Sequence, residues 1–203
     1  MISQKSKLLT AAALIALCVS SNCSLPAQAK CEVEGCTLEE QVQNNKNFQV
    51  SHVLVKSSPA AVWQVLTDYS GAPKTFQTLK KVQVLSECGN NKRVHYQVRP
   101  TGLIATYEYD LDIKETPHKQ IEFHRVNGDF KEIEGFWKLE PAEGGRATIV
   151  TYGSHINGGL FLPQALIKHQ SRVDMPLALS ALRTAAESST QIAARAGHAH
   201  GTN

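Results

Sequence analysis

The stretch Asn127–Pro141, NGDFKEIEGFWKLEP, decides how the rest of the chain is read. It opens on the turn dipeptide Asn127-Gly128 and then alternates apolar and charged residues at a period of two, the spacing of a half-buried strand. That period puts Ile133, Gly135, Trp137 and Leu139 on one face, with Glu134, Phe136 and Lys138 on the other. Gly135 beside Trp137 suggests a gap in the wall through which another group approaches. Most of this face reads as core, with Trp137 reaching toward any space left inside.

Working outward, the neighbouring segments repeat the strand signature between turn signals. KKVQVLSE ends at CGNN, KRVHYQV at RPTG, LIATYEYDLDIK at ETPHK, QIEFHRV at NGD, and ATIVTYGSHI at NGG. Short connections between consecutive strands imply antiparallel pairing. In 104–113, Tyr107, Tyr109, Leu111 and Ile113 share one face and Glu108, Asp110 and Asp112 the other, so one side of the sheet is wet and the other covered. Upstream, FQVSHVLVK (48–56) reads as a strand. SSPAAVWQVLTDY follows as a helix, with Ser57 or Ser58 as cap, Pro59 in its first turn and Val62, Trp63 and Leu66 at helical spacing. The segment SGAPKTF ends that helix.

The cover is the last element. LPQALIKHQSRVDMPLALSALRTAAES carries Leu162, Leu166, His169 and Val173 as its apparent inner stripe, with small residues Ala165, Ala178 and Ala181. Pro176 predicts a kink or break near Asp174, because proline lacks the helical N–H and disfavours helix just before it. Residues 188–203 thin into small and polar types and read as a flexible tail. The fold class is therefore α+β, a curved antiparallel sheet of about seven strands around a long C-terminal helix. A single helix rarely fills a concave sheet, so an internal apolar cavity is expected.

The N-terminus has the layout of an export signal. Lys5 and Lys7 precede an apolar run from Leu8 to Val19, and Ala27-x-Ala29 places cleavage after Ala29. A run of this length is too short to span a bilayer. Removing residues 1–29 leaves 174 of 203 and takes two of the 21 Lys+Arg but none of the 18 Asp+Glu, so the net charge falls from +3 to +1. That balance, with no basic stripe, argues against a nucleic-acid partner. Residues 30–47 are polar and read as an N-terminal linker, 48–187 as the folded domain. The expected location is exported, in the periplasm. Of five cysteines, Cys31, Cys36 and Cys88 remain. CEVEGC favours a Cys31–Cys36 disulfide, with Cys88 pairing to either one left open.

At this point a resemblance becomes specific. SSPAAVWQVLTDYSGAPKTF (57–76), NGDFKEIEGFWKLEP (127–141), TYGSHI (151–156) and LPQALIKHQSRVDMPLALSALR (162–183), in that order, resemble the START-like (SRPBCC) helix-grip superfamily, most of all its polyketide cyclase/dehydrase and coenzyme Q-binding START branch. The resemblance spans roughly 48–187. It implies a seven-stranded antiparallel sheet gripping a C-terminal helix, with a deep apolar pocket used by lipid or hydrophobic-ligand carriers and by some cyclases.

The candidate ligand wall comprises Trp63, Phe76, Tyr96, Tyr107, Tyr109, Phe123, Trp137, Leu166 and Val173 for apolar area, with Arg125 and His169 as polar handles. Arg125 shares a face with Ile121 and Phe123 by alternation and would call for an anionic partner if buried. Catalytic signatures are thin. YGSHIN does not complete G-x-S-x-G, the histidines are scattered singly, and no H-E-x-x-H occurs. No catalytic residue, metal or cofactor is assigned. The leading reading is binding or transport of a lipid, quinone or isoprenoid-like molecule, with access opened by the SGAPKTF loop or by the Pro176 break. Transient membrane contact and the oligomeric state are left open. The alternatives are a cyclase-like enzyme, using a tyrosine or His169 for proton transfer, and an interaction module with a filled cavity.

Overall fold

The computed structural model describes residues 35–160 and 162–199 of the chain. Its elements are β1 (Cys36–Gln43), β2 (Lys46–Val55), α1 (Pro59–Thr67), α2 (Ala72–Thr75), β3 (Leu79–Cys88), β4 (Asn91–Val98), β5 (Tyr107–Thr116), β6 (Gln120–Gly128), β7 (Glu132–Ala142), β8 (Ala147–Asn157) and α3 (Gln164–Ala199). The eight strands form one sheet in the order β1-β2-β8-β7-β6-β5-β4-β3, every neighbouring pair antiparallel. The chain enters as the β1–β2 hairpin, crosses to the far edge through α1 and α2, and meanders back until β8 pairs with β2. This curved sheet under a long C-terminal helix is the expected helix-grip architecture, with one strand more.

The extra strand corrects the reading of residues 30–47 as a linker. Residues from Cys36 to Gln43 pair with β2 along their whole length. The segment looked structureless because an edge strand buries little: only Cys36 and Leu38 go inside. Its signal is the turn, Asn44-Asn45, whose φ values of 49° and 62° are those of a type I′ hairpin. Cys36 is buried on this edge strand, and Cys88 is exposed at the end of the opposite edge strand, β3. Cys31, its expected disulfide partner, lies outside the described residues, as does the export signal.

Two helical expectations also change. Ser58, one of the two expected caps, caps α1 by accepting from the Ala61 amide, and Asp68 ends the helix just ahead of SGAPKTF. Helix α3, however, runs unbroken from Gln164 to Ala199 with Pro176 inside it. Burial of Met175, Leu179 and Leu182 on either side of the proline offsets the lost hydrogen bond. Nor does the helix end at residue 187. Thr190 meets Ser57 at 2.9 Å between hydroxyls, and Glu187 accepts from the Lys56 amide at 2.8 Å, which docks this region on the loop before α1.

The core divides along α3. Its later part packs Leu179, Leu182 and Ala186, none of them exposed, against Val62 of α1 and Val55 and Val150 of β2 and β8. Trp63 belongs here, its ring 5.7 Å from that of His118. Below the earlier part of α3 the interior is not filled.

Candidate functional site: an aromatic cavity under helix α3

Between the inner face of β3–β8 and the first half of α3 lies a cavity of about 260 Å³. The sheet contributes inward residues from β4 to β8: Tyr96 from β4; Tyr107, Tyr109, Leu111 and Ile113 from β5; Phe123 from β6; Trp137 from β7; and Tyr152 from β8. Ala72 and Phe76, in and just after α2, close one side, and Ile167, Ser171, Met175 and Ala178 of α3 form the roof. Cross-strand pairing explains why the aromatics meet. Tyr96 sits opposite Tyr109, their rings stacked 5.7 Å apart, and Trp137 sits opposite Tyr152, stacked at 4.0 Å and 4°.

The stretch Asn127–Pro141 takes its place in this wall. Ile133 and Trp137 face inward as period two requires, and Phe136 packs outside against Phe48. Gly135 is not an opening, however. A Cβ there would lie 2.3 Å from Cζ of Phe123, so the glycine makes room for that ring. Gly128 meets a similar demand where β6 ends: its φ is +117°, and a Cβ would come 2.3 Å from the Glu108 carbonyl oxygen.

Polar groups stand at both ends of the apolar wall. At one end the Tyr69 hydroxyl donates to Glu115 Oε1 at 2.7 Å, and Glu115 is itself buried. Lys92 Nζ holds the other oxygen of Glu115 at 3.2 Å and donates to Glu87 at 2.8 Å, so the buried carboxylate is charge-paired. Burial and then the bond to Glu115 push the Tyr69 phenol far above the ordinary tyrosine range. At the other end, Asp174 and Gln170 of α3 clasp the β4–β5 loop. Asp174 accepts from the Thr101 amide at 3.2 Å and from Gln170 Nε2 at 3.0 Å, and Gln170 also donates to the Thr101 carbonyl at 3.0 Å. Burial raises the phenols of Tyr96, Tyr109 and Tyr152, the last to about 12 even with the Ser154 hydroxyl partly offsetting it.

Of the candidate wall residues, Phe76, Tyr96, Tyr107, Tyr109, Phe123, Trp137 and Leu166 line the cavity. Four do not. Trp63 is in the filled part of the core. Arg125 turns to the β6–β7 loop and donates to the carbonyls of Gly128 at 3.0 Å and Lys131 at 3.3 Å. A bulge at Val126, where the pairing steps from Asp110–Asn127 to Leu111–Arg125, sets it there, and two backbone carbonyls replace the expected anionic partner. His169 and Val173 are exposed. The helix shows the cavity a stripe through Ile167, Ser171 and Met175, and positions 169 and 173 lie two residues round from it. Tyr69, Tyr152, Gln170 and Asp174 escaped sequence reasoning. Alternation in ATIVTYGSHI marks Tyr152, but nothing periodic marks Tyr69, which follows the end of a helix.

Comparison with known proteins agrees with this geometry. Residues 55–183 match the family described as polyketide cyclase / dehydrase and lipid transport. No curated protein shows significant sequence similarity to the chain. Among solved structures, a STAR-related lipid transfer protein from Xanthomonas axonopodis superposes with a TM-score of 0.65 at 17% identity, covering 79% of this chain and 98% of that one. The Zhui aromatase/cyclase from Streptomyces sp. R1128 gives 0.62 at 17% identity, over 69% and 93% of the two chains. Human StAR-related lipid transfer protein 5 gives 0.61 at 12% identity, over 76% and 83%. At these identities the likeness is one of fold.

Proposed function

We propose a function on this premise: the chain belongs to the polyketide cyclase / dehydrase and lipid transport family. It binds a hydrophobic small molecule in the cavity under α3, and the cargo is a lipid, quinone or isoprenoid-like molecule. The observation that carries the reading is an aromatic cavity of about 260 Å³ between the sheet and α3. Apolar burial supplies the affinity, at roughly 25 cal/mol per Å² before ordering costs. The cavity speaks against the filled-module reading, and the cyclase reading loses His169, which is exposed.

Two features support a route for the cargo. Leu103 and Leu162, on the β4–β5 and β8–α3 loops, line the cavity, while their near neighbours Ile104 and Leu160 are 94% and 97% exposed. In this proposal those two side chains touch a membrane transiently while the clasp on Thr101 opens. Export to the periplasm with cleavage after Ala29, and a Cys31–Cys36 disulfide, complete it; they rest on the pattern of the N-terminal sequence.

The test is mass spectrometry of an organic extract from protein exported with its own signal and purified without detergent. A near-stoichiometric hydrophobic species is expected. An empty extract, with no lipid-induced rise in melting temperature, would overturn the reading.

A further inference from the structure

The polarity of the cavity wall restricts its cargo more narrowly than its apolar area does. The residues that line it include no lysine, arginine or histidine, so no cation among the described residues waits for an anionic headgroup. Its one lining carboxylate, Asp174, is already engaged by the Thr101 amide and Gln170. Tyr69 has its only proton committed to Glu115, so it shows the interior lone pairs alone. Tyr96 and Tyr109 differ. They face each other across β4 and β5 with stacked rings, which carries both hydroxyls to the same region of the cavity, and neither hydroxyl bonds to any described residue. Each therefore keeps a free O–H donor inside an apolar space, and burial holds both phenols protonated far into the alkaline range.

We infer that Tyr96 and Tyr109 form a donor pair that selects uncharged cargo bearing a carbonyl-type oxygen, and that the cavity disfavours carboxylates such as free fatty acids. An unpartnered hydroxyl in such a space is satisfied by water or by ligand. A hydrocarbon displaces that water and leaves the donors unmet, whereas a ketone, quinone or ester oxygen replaces it. A carboxylate would also accept from the pair, yet it would surrender its hydration with no counter-charge on the wall. This inference rests on the cavity being a binding site.

Three probes of one shape test it: 2-acetylnaphthalene, 2-ethylnaphthalene and 2-naphthoate, titrated at pH 7.5 against the purified chain by isothermal calorimetry. The ketone is expected to bind about tenfold more tightly than the hydrocarbon, the size of one hydrogen bond made, with naphthoate weakest. In the Tyr96→Phe/Tyr109→Phe double variant the ketone-to-hydrocarbon ratio should fall to near one, the hydrocarbon gaining affinity because it no longer leaves donors unmet. Each single variant, checked for an unchanged thermal transition, should give an intermediate ratio. A wild-type ratio near one, a ratio that survives the double substitution, or naphthoate binding as tightly as the ketone would each overturn the donor pair while leaving the carrier reading in place. Failure of both neutral probes to bind would overturn the carrier reading itself, and the inference with it.

Discussion

Helix α3 crosses two kinds of interior on one sheet. Around Leu179, Leu182 and Ala186 it meets Val55, Val62 and Val150, and nothing there is exposed. Around Ile167, Ser171 and Met175 it roofs a cavity walled by tyrosines and a tryptophan. The filled part is closed by interdigitating Leu179, Leu182, Val62 and Trp63, whereas over the aromatic wall the helix presents small residues, Ser171 and Ala178, and space remains between sheet and helix. The comparison teaches that the packed core and the cavity sit under separate stretches of the same helix. They should be separable by mutation.

The largest effect is expected in the filled region. Leu182→Ala removes a side chain with no exposure and should cost about 2–5 kcal/mol, read as a lower chemical-denaturation midpoint. Cargo affinity in the molecules still folded should be unchanged. A substitution there that weakened binding without unfolding the chain would break the separation. Gly135→Ala comes next. Its Cβ would approach the Phe123 ring to 2.3 Å and the Gly153 carbonyl oxygen to 2.5 Å, so the wall must shift at about 1–3 kcal/mol. Unlike Leu182→Ala it should also alter cargo binding, because Phe123 is part of the wall.

Ala178→Phe tests the hollow region from the other direction. The new ring enters the cavity, so cargo binding should be lost in calorimetry while stability changes by less than about 1.5 kcal/mol. Alkaline titration sharpens the contrast in a different way. Burial raises the folded phenols of Tyr96, Tyr109 and Tyr152, the last to about 12, above an unfolded value of about 10. Above pH 10 the unfolded chain therefore binds fewer protons than the folded one, and stability falls as pH rises through that window. Phenolate absorbance from these three rings should then appear together with loss of near-ultraviolet circular dichroism; their ionisation early in a folded protein would mean the cavity is open to water. The smallest effect belongs to the outer face. Arg93 pairs with Asp112 at 2.7 Å and holds its carboxyl below the usual range, but both are partly exposed on the outer face, so Arg93→Gln should cost under about 1 kcal/mol.

Much of this division was legible in advance, though unevenly. Period two along Tyr107, Tyr109, Leu111 and Ile113 put the right faces inward, and so it did for Ile133 and Trp137. Alternation is a property of the backbone and survives tertiary packing. His169 and Val173 were misassigned because a helix in which small and apolar residues recur all round offers several stripes, and its partner selects among them. Arg125 was misjudged because a bulge, which leaves no mark in the residue pattern, set where its guanidinium lands.

By itself the sequence determined the order and type of nearly all the elements, the antiparallel meander, the cap on α1 and the aromatic content of the sheet's covered face. These follow from local rules, in which side-chain period, turn chemistry and capping act within a few residues. Only the tertiary structure decided that the polar N-terminal segment is a strand, that α3 passes through Pro176 without a break, and which rings meet across β4–β5 and β7–β8. It alone placed Tyr69 on Glu115 and left the hydroxyls of Tyr96 and Tyr109 without a partner among the described residues. Those outcomes depend on which distant surfaces come into contact and on whether their volumes fit, and no pattern along the chain encodes a gap between two of its parts.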